Sequence, residues 1–195
     1  MSTQGKSRRA FLVESLSGVG AAWVTANYTG ILATHEYVLE AAQSGQPVKF
    51  AFLTPEQGAE VDAMTAQIIP SDTTPGAREA RVVQFIDRAL VTFEKGRQSA
   101  YTQGLKDLQT KTKELVPGAS MFSTLTPDQQ IQVLKAIEET PFFNLVRTHT
   151  ITGFFASPAH GGNYNKVGWK LVSYDDSLNF KPPFGYYDAL PEFRG

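Results

Sequence analysis

Apolar residues recur along most of this chain in steps of three and four, the spacing of helices that bury one face. Val61, Met64 and Ile68 form one such stripe, and Val82, Val83, Ile86, Leu90 and Phe93 a second. Tyr101, Leu105, Leu108 and Leu115 form a third, and Ile131, Leu134 and Ile137 a shorter fourth with Lys135 facing outward. Phe142, Phe143, Val146, Ile151, Phe154 and Phe155 make a fifth, apolar around so much of its circumference that it is expected to be the most buried helix. Helix starts are explicit. Thr54-Pro55-Glu56-Gln57 and Thr126-Pro127-Asp128-Gln129 each combine an N-cap threonine, an N1 proline and a glutamine able to close a capping box. Thr140-Pro141 and Thr74-Pro75 predict two further starts, while Ile69-Pro70 and Pro117-Gly118 predict stops.

After Ala156 the pattern breaks. Residues 157–165 (Ser-Pro-Ala-His-Gly-Gly-Asn-Tyr-Asn) form a turn cluster in which both glycines are expected at positive φ and Asn163 is expected to bond its own backbone. Gly168-Trp169-Lys170-Leu171-Val172 reads as a short extended piece. From Asn179 onward the chain is rich in Pro, Gly and aromatic residues, including Phe180, Phe184, Tyr186, Tyr187 and Phe193. So many aromatics predict a tail that lies along a surface, its own or a partner's. The expected fold is all-α: a compact helical domain of about five helices over residues 50–195, ending in an irregular C-terminal arm.

The first 43 residues are of another kind. Ser7-Arg8-Arg9-Ala10-Phe11-Leu12 opens a weakly apolar, Gly/Ala-rich stretch, the layout of a twin-arginine export signal. A membrane span needs about 20 mostly apolar residues. Glu14, Ser15, Ser17, Thr25, Asn27 and Thr29, with three interspersed glycines, make this stretch too polar for one. Arg8, Arg9, Phe11 and Leu12 are therefore the expected export residues, and residues 43–47 a polar linker. Folded export serves mainly proteins that acquire a cofactor in the cytoplasm, or that travel with a partner that does.

Composition narrows the classes of function. The 195 residues carry 18 basic and 19 acidic side chains for a net charge of −1, with no block of either sign, so a nucleic-acid partner is not expected. Cysteine is absent, which excludes disulfides, thiolate zinc sites, cysteine-ligated iron–sulfur clusters and covalent c-type haem. Of three histidines, His149 lies in the fifth helix and His160 before a glycine pair, without the tight spacing of a metal site. Local hydrogen bonding explains them more simply. His160-Gly161-Gly162-Asn163 is similar to an esterase oxyanion loop, but no G-x-S-x-G elbow accompanies it, and no phosphate-binding P-loop is present. Residues 68–80, from Ile68-Ile69-Pro70 to Arg78-Glu79-Ala80, are explained by turn chemistry; a rigid elbow offered to a partner is the alternative. No catalytic residue is predicted.

Several short pieces, in order, resemble the gluconate 2-dehydrogenase subunit 3 family, the small subunits of bacterial flavin-dependent sugar and polyol dehydrogenases. They are Phe52-Leu53-Thr54-Pro55-Glu56, Ile68-Ile69-Pro70 with Asp72, Pro75-Gly76-Ala77-Arg78-Glu79-Ala80 and Phe85-Ile86-Asp87. Gly153-Phe154-Phe155, Gly161-Gly162-Asn163 and Gly168-Trp169 complete the set. The resemblance implies a non-catalytic subunit, without a cofactor of its own, in a hetero-oligomer. The large subunit would be a GMC-type flavoprotein carrying FAD, and a multihaem cytochrome c would pass electrons to the membrane. The implied location is the periplasm, beside the inner membrane. Gly161, Gly162, Asn163, Trp169, Phe184, Tyr186 and Tyr187 are the expected partner-binding residues. Two readings stand against it: a periplasmic metal-dependent enzyme using His149 and His160, and a free-standing secreted helical binding domain.

Overall fold

A computed structural model describes residues 49–176. The export residues Arg8, Arg9, Phe11 and Leu12 and the tail residues Phe184, Tyr186 and Tyr187 lie outside the described residues. Within them the chain is all-α, as expected, with six helices and no strand: α1 (Pro55–Ile68), α2 (Val82–Val91), α3 (Gln98–Leu115), α4 (Pro127–Ile137), α5 (Pro141–Phe155) and α6 (Val167–Leu171).

Three starts form as their local chemistry dictates. Thr54 Oγ1 accepts from the Gln57 amide at 3.2 Å while Gln57 Oε1 accepts from the Thr54 amide at 3.0 Å, a closed capping box. Thr126 and Gln129 repeat the exchange, and Thr140 Oγ1 accepts from the Phe143 amide at 3.2 Å. The fourth start differs. Thr74-Pro75 leads into only one turn, marked by the Ala80 amide donating to Gly76 O at 3.1 Å. A Schellman closure then ends it: the Val82 amide donates to Ala77 O and the Arg81 amide to Arg78 O. Arg81 sits at the left-handed position of that closure, with φ 54°, and α2 begins at the next residue. Glu79 holds the elbow, accepting from the Gly76 amide and the Ser71 hydroxyl. Those bonds, Ser71 first, lower its pKa.

α2 packs against α1 and α5, while α3 lies on α4 and α5. α2, not the more apolar α5, is the most deeply buried helix, since it is covered from Val82 to Leu90 except at Val83 and Gln84. Phe142, Phe143, Ile151 and Phe155 of α5 are only half-buried. In α4 the predicted face is rotated: Ile131 is 42% exposed, and Gln130 and Val133 are buried instead. Gln130 is drawn inward by two polar partners, donating to Phe122 O at 3.2 Å and accepting from Gln67 Nε2 at 2.7 Å. Gly168–Val172, expected to be extended, contains α6, which packs against α5. No helix of the described residues is long and apolar enough to cross a membrane.

Two buried carboxylates fasten irregular chain to this frame. Asp87, 1% exposed on α2, accepts from the amides of Ala51, Phe52 and Leu53 at 2.7–2.9 Å. Glu60 on α1 accepts from the amides of Phe122 and Ser123. Hydrogen bonds to charged acceptors are stronger than neutral ones. Asp87→Ala strands three amides and is expected to remove about 3 kcal/mol of stability and to open residues 49–53 to proteases. Urea unfolding and limited proteolysis check this; a wild-type midpoint with an intact 49–53 segment would refute it.

Candidate functional site

The turn cluster after α5 closes that helix. An α-helix leaves its last carbonyls without partners, and residues 156–169 fold back over those of α5. The Trp169 indole Nε1 donates to Phe155 O at 2.8 Å, and Asn163 Nδ2 donates to Ala156 O at 2.9 Å. Asn163 Oδ1 accepts from the Gly168 amide at 2.8 Å, so one fully buried amide side chain joins the end of α5 to the start of α6. Asn163 thus bonds distant segments rather than its own backbone. The glycines also differ from expectation. Gly161 has φ 96°, but Gly162 is required for space, because a Cβ there would strike Gly153 O. At Gly168 a Cβ would strike Phe154 O.

The structure therefore brings Gly161, Gly162, Asn163 and Trp169 together, with Gly162 and Asn163 buried beneath the surface they shape. The outward-facing groups are others. Tyr164 is 41% exposed, and the Arg81 guanidinium stacks over its ring, 3.5 Å from the centroid. The Tyr164 amide donates to Ala80 O, tying this loop to the elbow before α2. Tyr174, 58% exposed, meets Trp169 edge to face at 5.1 Å, and Lys166 pairs with Asp176 at 2.7 Å. That ion pair and bond lower the pKa of exposed Asp176, chiefly through the Lys166 hydrogen bond.

Backbone strain is concentrated here. Among the described residues five non-glycines have positive φ: Arg81, Asn163, Asn165, Lys166 and Ser173. All five frame the Tyr164–Trp169–Tyr174 surface. Arg81 and Ser173 each occupy the left-handed position of a Schellman closure, where glycine is usual; at Ser173 the closure is the Tyr174 amide donating to Trp169 O. Each such residue costs about 1 kcal/mol or more. Arg81, Tyr164 and Tyr174 were missed from sequence. Only Tyr164 carried a signal, as an aromatic flanked by two asparagines in a turn.

Of the two histidines of the metal reading, His149 is satisfied inside the core. His149 is 1% exposed, and its Nδ1 hydrogen-bonds the Tyr101 hydroxyl at 2.9 Å, in line with local satisfaction. Burial, with the Arg97 charge second, lowers its pKa to about 4, while burial and then Glu94 push the Tyr101 phenol well above 10. Both are neutral at physiological pH. Among the described residues no group of three or more His, Cys, Asp or Glu is placed to hold a metal ion.

Two outcomes follow from this geometry. His149 stays neutral in the fold down to about pH 4, whereas in the unfolded chain it protonates near its ordinary value of 6.5. The unfolded state therefore binds more protons between these values, and stability falls as pH drops from 6.5 toward 4, by about 3 kcal/mol from this group. Urea unfolding at pH 7.5 and 4.5 should show the loss, and His149→Gln should flatten it; an equal slope in the variant would assign it elsewhere. Gly162→Ala should destabilise the fold by about 2 kcal/mol through the clash with Gly153 O, read as a lowered melting temperature. An unchanged value would contradict the close approach.

The family model described as gluconate 2-dehydrogenase subunit 3 matches residues 55–175, more than half of the chain. Comparisons with curated proteins and with solved structures give no match. The matched span runs from the first turn of α1 through the strained loop to Asp175, so it covers both the helical frame and the surface built on its end. The chain belongs to the gluconate 2-dehydrogenase subunit 3 family.

Proposed function

We propose that this chain is the non-catalytic small subunit of a periplasmic, membrane-associated, FAD-dependent dehydrogenase of the GMC type that oxidises a sugar or polyol. It supplies the twin-arginine export signal for the complex and stabilises the flavoprotein subunit. The observation that carries this reading is the family match over residues 55–175. Arg8-Arg9-Ala10-Phe11-Leu12 supports the export role, since a flavoprotein that folds around FAD in the cytoplasm needs a carrier for folded cargo. The strained surface with exposed Tyr164 and Tyr174 supports a binding role. A multihaem cytochrome c subunit is the electron acceptor in this arrangement. His149, buried and bonded to Tyr101, gives no support to a metal-dependent reaction run with His160.

A tagged chain co-expressed with the proposed flavoprotein partner should purify as a yellow complex with one FAD per small subunit. Arg8→Lys with Arg9→Lys should hold both polypeptides in the cytoplasm, measured by fractionation. A colourless, folded chain that emerges alone would overturn the subunit role; continued export of the flavoprotein with the double variant would overturn the carrier role.

A further inference from the structure

We propose that the face formed by Arg81, Tyr164, Trp169 and Tyr174 is where the flavoprotein subunit docks, and that Arg81 receives a carboxylate from it. The inference rests on the proposed role as a subunit and assigns its contact surface. Three observations single out this face. Of the three exposed large hydrophobic residues among the described ones, Tyr164 and Tyr174 lie here, while Ile131 stands on α4. All five left-handed non-glycines frame the same face. Strain of this kind persists where surrounding structure enforces it, and it gathers at sites of function. The guanidinium carbon of Arg81 lies 3.5 Å from the centroid of the Tyr164 ring, and no ion pair among the described residues engages it. Lys166, by contrast, is already neutralised by Asp176.

Arginine, tyrosine and tryptophan are the side chains that most often dominate binding energy at protein interfaces. A stacked guanidinium keeps its N–H fork aimed outward and pre-organised for a carboxylate. That complementarity defines the occupant as a protein surface with an acidic group beside an apolar contact. The described chain ends at Asp176 on this same face and continues into residues 177–195, which carry Phe184, Tyr186 and Tyr187. The open groove of about 240 Å³ between α1 and α3, lined by Glu56, Leu105, Lys106 and Met121 among others, holds a cation in Lys106 but no aromatic ring for it to stack on and no left-handed residue.

The test measures binding of the purified flavoprotein to the full-length chain. Arg81→Asn keeps a residue that tolerates left-handed backbone. It should leave the melting temperature of the free chain unchanged, lower affinity roughly tenfold and flatten its salt dependence. Tyr164→Ala should lower affinity similarly, whereas Ile131→Lys should not. A photo-crosslinking residue at Tyr174 should capture the flavoprotein. If wild type binds but both face variants bind equally well, or Ile131→Lys alone abolishes binding, the assignment of this face fails. Crosslinking of residue 174 to the chain's own residues 177–195 in the complex would overturn it as well. If wild type itself does not bind the flavoprotein, the subunit role fails first.

Discussion

The carbonyl oxygens at the end of α5 have no helical partners, and the way the chain meets them shapes everything downstream. Trp169 and Asn163 donate to two of them, and the chain at Gly162 and Gly168 passes so close to two others that no side chain fits. Meeting these groups from a loop of about a dozen residues forces sharp reversals. Asn163, Asn165 and Lys166 are left-handed within that loop, and Tyr164 is turned outward between them. Burial of polar backbone thus sets the form of the exposed surface. The supports of that surface are internal.

Family membership gains physical content from these contacts. The short pieces that carry the resemblance are distant in sequence, yet they meet in space. Ala51, Phe52 and Leu53 are held by Asp87; Gly153 leaves room for Phe85; Gly162 lies against Gly153, and Gly168 against Phe154. Each piece supplies half of a contact whose other half is another piece. The set describes one packing arrangement, with α2 and α5 at its centre.

What the sequence made legible was local. The capping boxes at Thr54 and Thr126 and the cap at Thr140 need only residues within one turn, and they form as expected. The helical periodicity also sufficed for the fold class. Asp87 and Glu60 were opaque because their amide donors lie 34 and 63 residues away. Ile131 was assigned inward by apolar spacing alone, but Gln130 has partners in Gln67 and Phe122 that spacing cannot reveal. Thr74-Pro75 carried a valid start signal that was cut short one turn later, and nothing about an arginine at position 81 announces a left-handed residue. Of the partner-binding residues that fall within the described span, Gly161, Gly162, Asn163 and Trp169 do lie together. Their visible role is to build the face, and the groups that project from it are their neighbours.

Hydrogen–deuterium exchange on the purified chain, alone and in complex with the flavoprotein, tests the central claim most directly. The account predicts that amides of residues 161–174 and of the elbow at 76–82 gain protection in the complex, while the exposed side of α4 does not change. A stable complex with protection confined to α4 or to the groove between α1 and α3 would contradict the assigned face. A chain that forms no complex with the flavoprotein would contradict the account as a whole.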